Sequence, residues 1–174
     1  GRCLLPEDRQ LQGLILDWGI GSNITLPELR KYAKKGVFTR DKVSNQVAKE
    51  LAERVDTKAV SVFDKASSLS GGNQQKVVVA KILASNLKVL IMDEPTKGVD
   101  VGAKAAIYEI MGDLAQQGYA IVMISSEMPE ILGMCDRVFV MCDGRVTGEL
   151  DRKEASQELI LELAMSKSRT GQTA

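Results

Sequence analysis

The sequence of 174 residues contains no histidine. That absence excludes Ser-His and Cys-His nucleophile pairs and imidazole metal ligands. Cysteine is also scarce, with Cys3, Cys135 and Cys142 forming an odd set without C-x-x-C spacing. Such a set fits buried or idle thiols in a reducing compartment better than a disulfide framework or a zinc site. The cytoplasm is therefore the expected location.

Net charge and long apolar runs are lacking as well. Lys plus Arg and Asp plus Glu are 23 each, so no net field favours nucleic acid or an anionic membrane. No segment has the roughly 18 to 20 unbroken apolar residues that a membrane span needs. The start, "GRCLLPEDRQ", has neither a signal-peptide pattern nor an initiating methionine,. We expect a soluble chain that is an excerpt of a longer protein.

The phosphate-cradling loop G-x-x-x-x-G-K-[ST] is missing too. No glycine in the sequence is even followed by lysine. In such loops the glycine-rich backbone surrounds the nucleotide phosphates and the lysine reaches them. This sequence is therefore predicted to lack the means to cradle a nucleotide of its own.

Residues 1 to about 68 are polar, charged and helix-prone. The segment "SNITLPELRKYAKKG" has a cap signal at Ser22 and Asn23 and closes on Gly36,. The segment "TRDKVSNQVAKELAERV" carries apolar residues every four positions, from Val43 to Val55,. Both segments are predicted to be helices, and this part of the chain a small helical region.

From residue 87 onward, short apolar runs alternate with amphipathic segments. The order is "KVLIMD", "VGAKAAIYEIMGDLAQQG", "YAIVMISS", "MPEILGM" and "RVFVMCDGRVTGEL". That alternation predicts an α/β fold with a parallel sheet and crossover helices. The segment "ASQELILELAM" is predicted to be a closing helix, and "SKSRTGQTA" a frayed tail,.

The stretch "LSGGNQQKVVVAKILA" opens a predicted helix with two glycines. Ser70 can cap this helix, while Gly71 and Gly72 let backbone N–H groups approach an anion at its positive end. An ordinary Gly-Gly turn into an amphipathic helix would have the same local pattern. Lys76 and Lys81 on the same helix are predicted to form a solvated face.

The stretch "KVLIMDEPT" is a second candidate site. Its apolar run, residues 89–92, suits a strand buried on both faces, and it ends in Asp93 and Glu94 before a proline,. Ligands of open α/β sheets bind at this edge, so Asp93 is placed to hold Mg²⁺ and Glu94 to take a proton from an attacking water. A solvated turn at the strand end is the alternative.

Several motifs in this order resemble one family. "LSGGNQQK" resembles the signature motif of ATP-binding-cassette ATPases, and "VLIMDEPT" is similar to their Walker B strand with its catalytic glutamate. "KGVDVGA" follows as their D-loop does. The spelling of "GNQQK", "PTKGVDVGAK" and "ISSEMPEILGMCDRVFVMCDGRVTGEL" is most similar to the carboxy-terminal cassette of ribose- and galactose-type sugar importers. The resemblance spans nearly the whole chain.

The resemblance implies a partial P-loop NTPase fold of the RecA-like type, a parallel sheet with a helical signature subdomain. Residues 1–86 would form the helical subdomain ending in the signature helix. Residues 87–166 would form the carboxy-terminal part of the ATPase core, with Walker B, D-loop and switch region, and residues 167–174 a flexible tail. Family members carry the phosphate loop upstream, so the sequence resembles a cassette cut just before its helical subdomain.

Site residues follow from the same resemblance. In this family two cassettes pair head to tail, and each signature closes on the nucleotide held by the other. The segment implied to bind a partner's ATP consists of Leu69, Ser70, Gly71, Gly72, Asn73 and Gln74. The D-loop residues Gly98, Val99 and Asp100 would reach toward that partner site. In the chain's own site Asp93 would hold Mg²⁺ and Glu94 would be catalytic.

Two positions depart from the family pattern. Ser126, in "SSEMPE", stands where active cassettes have a switch histidine. The segment "LLPEDR" lies where the lid glutamine is expected, which leaves Glu7 or Asp8 in that role. Loss of one positioned group of this kind typically costs ~10² to 10⁴ in rate. We therefore expect a weak, degenerate own site and no activity of the isolated chain.

The leading functional hypothesis is an ATP- and Mg²⁺-using piece of a monosaccharide importer. Its partners would be an amino-terminal or second cassette and transmembrane permease subunits contacted through residues 10–66, at the inner face of the cell membrane. A non-catalytic regulatory or binding module is an alternative, supported by the missing phosphate loop and by Ser126. A DNA-repair ATPase of the same superfamily is another, but the heptad insertions and basic surface of such proteins are absent. No nucleic acid partner is expected.

Overall fold

The computed structural model describes residues 2–34, 38–39, 41–59, 61–85 and 87–166. It divides into two compact units, residues 1–124 and 125–174. This division does not coincide with the predicted boundary between residues 86 and 87. Among the described residues, none of the helices has the length and apolar character needed to cross a membrane.

The first unit combines a small sheet with a group of helices. Its elements are β1 (Arg2–Leu5), a π-helical turn (Arg9–Gly13), α1 (Ile20–Thr25), a 3-10 turn (Leu26–Glu28), α2 (Leu29–Tyr32), β2 (Ala33–Lys34), β3 (Phe38–Thr39), α3 (Asp41–Arg54), a second 3-10 turn (Ala66–Ser68), α4 (Gly71–Ala84), β4 (Val89–Asp93), α5 (Val101–Gln116) and β5 (Ala120–Ile124). Strands β2 and β3 form a separate antiparallel pair.

Strands β1, β4 and β5 form a parallel sheet in the order β1-β4-β5. The predicted α/β fold with a parallel sheet is confirmed. The expectation that residues 1 to about 68 form a helical region was wrong for β1, β2 and β3. In β1, Leu5 lies beside Met92 in the register. Leu5, Leu90 and Met92 are fully buried, so burial of this apolar strand stabilises it in the sheet.

The sheet is buried much more on one face than on the other. Leu90 and Met92 of β4 are fully buried, whereas Leu4, Val122 and Ile124 are 54%, 52% and 48% exposed. Side chains of a strand alternate between the two faces. The expectation that the strand at residues 89–92 is buried on both faces was therefore wrong, since its second face is only partly covered.

Helices α1, α3 and α4 pack against one another around buried Ile20, Ile24, Val55 and Val77. The helix predicted from Val43 to Val55 is confirmed by α3. Helix α1 begins at Ile20, so the predicted cap at Ser22 and Asn23 was wrong. Gly36, the predicted end of that segment, lies outside the described residues.

Asn23 explains why the cap signal misled. Its side chain is fully buried within α1 and binds the preceding loop instead. Its Oδ1 accepts the N–H of Ile15 at 2.8 Å, and its Nδ2 donates to the carbonyls of Ile15 and Gly19 at 3.0 and 3.1 Å. The amide thus ties the preceding loop to α1 through both polar groups of the Ile15 backbone,.

The second unit contains α6 (Met128–Met134), β6 (Arg137–Cys142), β7 (Arg145–Asp151) and α7 (Gln157–Met165). Strands β6 and β7 pair antiparallel, so the prediction that this run joins the parallel sheet was wrong. Asp143 and Gly144, with φ of 49° and 75°, form the tight turn that such a hairpin favours. The core of the second unit consists of Val138, Val140, Leu150 and Ile160. Helix α7 confirms the predicted closing helix, and residues 167–174 lie outside the described residues.

Two cysteines fall in this unit, and both are free. Cys135 and Cys142 are half-buried, and burial, assisted by Asp136, raises the pKa of the Cys135 thiol. Because the thiolate is the reactive form, this shift favours an unreactive thiol at Cys135. The side chain of Cys3 lies outside the described residues.

Candidate functional site

The tip of α4 faces solvent at Ser70. Ser70 is the N-cap, and its Oγ accepts from the Asn73 backbone N–H at 3.5 Å and from Asn73 Nδ2 at 3.1 Å. A backbone bond of 3.5 Å is long for a cap and therefore weak. Ser70 is exposed and Gly71 is half-buried. Within the first unit, the first turn of α4 is thus accessible at these two residues.

Gly72 is buried and has a packing role. A Cβ at this position would lie 2.4 Å from the Cβ of Ala103 and 3.6 Å from Cγ1 of Val99. A distance of 2.4 Å is far shorter than the roughly 3.5 to 4.0 Å optimum between carbon atoms. Glycine is therefore required here for α4 to approach α5. This contact accounts for Gly72 without a ligand, while Gly71 keeps its predicted role.

The polar side chains that follow are occupied within the chain. Asn73 Oδ1 accepts the N–H of Lys58 at 2.9 Å. Gln74 is 4% exposed, and its Nε2 donates to the carbonyl of Leu69 at 3.2 Å. Its Oε1 accepts from Gln10 Nε2 at 3.2 Å. These bonds hold the loop before α4, so Asn73 and Gln74 shape the predicted signature segment.

The two lysines of α4 do not form a solvated face, and that prediction was wrong. Lys76 is 6% exposed; its Nζ donates to the backbone carbonyl of Asp56 at 2.8 Å and lies 3.1 Å from its carboxylate. Lys81 Nζ donates to the carbonyl of Gly13 at 2.9 Å. Because ten of the fourteen residues of α4 are buried, these ammonium groups reach carbonyls of neighbouring loops.

Asp93 and Glu94 lie at the carboxyl end of β4, and both are half-buried. Glu94 has φ of 45°, a left-handed conformation that costs a non-glycine residue about 1–2 kcal/mol. Its N–H donates to the Ile124 carbonyl at 2.8 Å, and its own carbonyl accepts from Lys97 N–H at 3.1 Å. Strain held by such bonds is found preferentially at functional sites.

The loop after β4 leads directly back to α4. Gly98 has φ of 66°, and the Val99 N–H donates to the carbonyl of buried Thr96 at 3.2 Å. Asp100 then caps α5, accepting the Ala103 N–H at 3.0 Å. Val99 and Ala103 are the residues that surround Gly72. The structure therefore brings the predicted D-loop against the predicted signature segment of the same chain.

The two candidates for the lid position differ in what they bind. Asp8 caps the π-helical turn, accepting the N–H groups of Gln10 and Leu11 at 3.0 Å each. Glu7 forms an ion pair with Lys97. The Glu7 carboxylate raises the pKa of Lys97 by accepting a hydrogen bond from it and by its negative charge. Glu94 and Asp93 raise it less. Glu7 is thus the acid beside the Walker-B-like segment.

Sequence reasoning did not single out Lys97. The available signal was Lys97 itself, a cation three residues after Glu94. Its positive charge offsets the negative charge of the acidic residue at the lid position. Glu7, Asp8, Gln10 and Lys97 line an open groove on the first unit.

Ser126 belongs to the second unit and is exposed in the loop before α6. Its neighbour Ser125 donates from Oγ to Glu130 Oε2 at 2.7 Å and accepts the Glu127 N–H at 3.0 Å. The buried carboxylate of Glu130 was also missed by sequence reasoning. No sequence pattern that we used separates a buried glutamate from an exposed one at the start of a helix.

The carboxylate of Asp93 is the kind of ligand that fits a magnesium ion bound together with phosphates. Across the described residues, no three His, Cys, Asp or Glu side chains assemble into a metal-binding group. Mg²⁺ in nucleotide sites is usually held by one or two carboxylates, several waters and the substrate phosphates. The half-buried carboxylate of Asp93, at the end of a strand, is compatible with that kind of binding.

The first unit thus combines a parallel sheet, whose middle strand ends at Asp93 beside Glu94, with a helix that opens on two glycines. Solved cassettes have this fold. The cassette MJ1267 of an ABC transporter has a TM-score of 0.75 at 21% identity, covering 94% of this chain and 68% of that one. A dimeric post-hydrolysis state of the cassette MJ0796 bound to ADP and Pi has a TM-score of 0.70 at 22% identity, covering 87% and 62%. At such identities the likeness shows the fold alone.

Sequence relatives are much closer. The ribose import ATP-binding protein RbsA of Lactococcus lactis subsp. cremoris is 51% identical over 164 residues, 94% of this chain and 33% of the relative. The xylose import ATP-binding protein XylG of Moorella thermoacetica is 49% identical over 164 residues, 94% and 32% respectively. Residues 12–97 match the ABC transporter family.

The chain belongs to the ABC transporter family of ATP-binding proteins, as the motifs predicted. It spans about a third of the length of the curated relatives it matches.

Proposed function

We propose that this chain is part of the ATP-hydrolysing subunit of a monosaccharide import system. The relatives at about half identity are named as ribose and xylose import ATP-binding proteins. The single observation that carries the proposal is the contact of Gly72 with Val99 and Ala103. This close packing joins the first turn of α4 to the loop that follows Asp93 and Glu94, so the two candidate segments are held side by side.

The tip of α4 serves the ATP of a partner cassette. Ser70 is exposed, Gly71 is half-buried, and the first N–H groups of a helix attract phosphate through their unpaired donors and the helix dipole. Gly72 contributes by its small size, which sets the distance between this tip and α5. Asp100, which caps α5, lies on the side that would face the same partner nucleotide.

The chain's own site uses the carboxylates at the end of β4. Asp93 would hold Mg²⁺, which neutralises phosphate charge when ATP is bound. Glu94 accepts a proton from the attacking water, and its left-handed backbone is held by hydrogen bonds to Ile124 and Lys97. Ser126 cannot supply the imidazole that the family uses, so turnover at this site is expected to be slow. Glu7 occupies the lid position, with its charge balanced by Lys97.

The partners are a second cassette and a permease contacted through residues 10–66, which places the protein at the inner face of the membrane. Large exposed apolar side chains in this region support the contact: Leu11, Ile15, Trp18 and Phe63. Exposed apolar patches are typical of protein interaction sites. The buried Asn23 amide fixes the loop that carries Ile15 and Trp18, so this surface is preformed.

The test is Gly71→Asp in an intact transporter that contains this chain. A carboxylate at the helix tip repels phosphate, so we expect ATP turnover and sugar uptake to fall by about 10² or more. Ala105→Asp adds the same charge at an exposed position of α5 and should leave both rates unchanged. Unchanged turnover in Gly71→Asp would refute the proposed role of the tip.

A second arm separates this function from a non-catalytic binding module. The purified chain alone is expected to bind MgATP feebly and to show no turnover, since the sequence has no phosphate loop. In the intact transporter, Glu94→Gln should slow hydrolysis at the chain's own site. If Glu94→Gln changed nothing while Gly71→Asp abolished uptake, the chain would be a trans-acting binding module.

A further inference from the structure

We propose that Glu130 is a positioning residue that fixes the loop carrying Ser126. The inference rests on the proposed function, in which Ser126 stands at the sequence position of the family's switch histidine. Glu130 lies in the first turn of α6 and is 4% exposed. Nothing in the ATP site as proposed above accounts for a carboxylate buried at this point.

The contacts of Glu130 explain why it is buried. Ser125 Oγ donates to Glu130 Oε2 at 2.7 Å, a distance in the range of charge-assisted hydrogen bonds. A carboxylate removed from water is costly unless such bonds compensate it. The carboxylate is therefore placed to accept the proton of the Ser125 hydroxyl.

Holding that hydroxyl determines the backbone of the next two residues. A serine hydroxyl has one proton, and here it is directed to Glu130, so a lone pair of the same oxygen is left for the Glu127 N–H at 3.0 Å,. The bond from a side chain to the backbone two residues on forms a tight turn. Ser126 is the residue at the centre of that turn.

The other side of the turn is held by the same residue. The backbone N–H of Glu130 donates to the Glu127 carbonyl at 3.0 Å, and Glu127 gives α6 no side-chain cap. The entry into α6 thus depends on Glu130 at two points, through its carboxylate and through its amide. Ser126 is exposed on a backbone segment that is bound on both sides.

A helix-stabilising role is the simpler alternative, because an acidic residue in the first turn interacts favourably with the helix dipole. The two roles differ for Glu130→Gln. Glutamine loses the charge but keeps an oxygen that can accept from Ser125. Positioning predicts that glutamine substitutes well and alanine does not, while a dipole effect predicts that both substitutions behave alike.

The first experiment uses the chain itself and measures amide hydrogen exchange. Exchange at the Glu127 amide should rise about tenfold in both alanine variants. Glu130→Ala removes the part-buried bond that orients the Ser125 hydroxyl, and Ser125→Ala removes the acceptor of the Glu127 N–H itself. Exchange at this amide should change less than about twofold in Glu130→Gln. The amides of Val138 and Val140 in β6 should keep their wild-type rates in all three variants.

Protection at Glu127 that survives Glu130→Ala would overturn the proposal. So would a loss of protection in Glu130→Gln equal to that in Glu130→Ala. If Glu130→Ala unfolds the second unit, the amides of β6 report it. Glu130→Met, which keeps most of the side-chain size but offers Ser125 no carboxylate, then decides the question by the same measurement.

The second experiment tests the consequence for Ser126. ATP turnover would be measured in an intact transporter that contains this chain, with and without Ser126→His. Restoring the imidazole should raise kcat for ATP by about 10². Glu130→Ala should abolish that gain with KM for ATP unchanged, and Glu130→Gln should keep it. Ile160→Ala, which removes core packing from the same unit but leaves the side chains of Ser125 and Glu130 in place, should also keep it.

The two proposals fail in different ways. If Ser126→His gives no gain, the account of the chain's own site is wrong, and hydrogen exchange at Glu127 still decides whether Glu130 fixes the turn. If the gain persists in Glu130→Ala, the positioning role is wrong while the ATP site stands.

Discussion

The two segments of the first unit that carry the candidate site are built in opposite ways. At the tip of α4, most of the motif is occupied internally: Gly72 packs on Ala103, and Gln74 binds the loop before the helix. At the end of β4 the carboxylates remain half-exposed, while the backbone of Glu94 is held in a left-handed conformation. The tip of α4 is thus held in place by side-chain packing, whereas the end of β4 is held by the geometry of its backbone.

The largest expected effect comes from disrupting the packing of Gly72 against Ala103. Gly72→Val forces side-chain atoms against Ala103 and should lower the free energy of unfolding by about 3 kcal/mol. Urea denaturation of the chain measures it. Ala103→Gly in the same chain should recover part of the loss, because it opens the contact. Gly112→Ala on α5, where a Cβ meets nothing within 4 Å, should be neutral or stabilising by about 0.5–1 kcal/mol.

The backbone side of the comparison is tested at Glu94. Because glycine adopts left-handed angles freely, Glu94→Gly should be more stable than Glu94→Ala by about 1 kcal/mol. At Glu109, exposed in the middle of α5, the order should reverse by a similar amount, since glycine weakens a helix by about 1 kcal/mol relative to alanine. Thermal and urea unfolding of the four variants give both differences. The same order at both positions would show that Glu94 is unstrained.

The two helix caps sharpen the contrast between the segments. Asp100 accepts from Ala103 N–H at 3.0 Å, whereas Ser70 accepts from Asn73 N–H at 3.5 Å. Asp100→Ala should therefore cost about 1 kcal/mol of unfolding free energy, and Ser70→Ala about half as much. Equal losses, measured by urea titration, would contradict the idea that the tip of α4 is held mainly by Gly72 and Gln74.

The smallest expected effect concerns the ion pair of Lys97 with Glu7. The pair raises the pKa of Lys97 above its ordinary value of 10.5, so the ammonium is favoured in the folded state. The ion pair therefore stabilises the folded state below pH 10.5. This stabilisation is lost as the pH rises through the higher pKa that Lys97 has in the folded state,. Because both side chains are exposed, the contribution is small and screened by salt.

Unfolding midpoints at about pH 9 and about pH 12 should differ slightly more for the wild type than for Glu7→Gln. Asp8→Asn is the matched control, since Asp8 caps a turn and does not bind Lys97. A larger pH dependence in Glu7→Gln than in the wild type would have the wrong sign for this pair.

Sequence pattern predicted the elements whose signal is local. Helix α3 follows from apolar residues at every fourth position, and β4 follows from an apolar run that ends before a proline. The carboxylates after β4 were placed at the sheet edge for the same reason. These predictions required no knowledge of distant residues.

Features that depend on distant residues were missed. Strand β1 has only four residues, and its partner β4 lies more than eighty positions away. The reason for Gly72 is Ala103, and the reason for a buried Lys76 is a carbonyl at Asp56. In each case the decisive group comes close only after the chain has folded.

The partly covered face of the parallel sheet has a practical consequence for handling the chain. The apolar side chains of Leu4, Val122 and Ile124 are exposed to water. Sulfate and phosphate strengthen the tendency of such exposed apolar surfaces to associate. Concentrated salts of this kind should precipitate the chain early, starting from this face. Polar replacements at Val122 and Ile124 would delay precipitation, while the same replacements at Leu90 or Met92 would remove the packing that keeps the strands together.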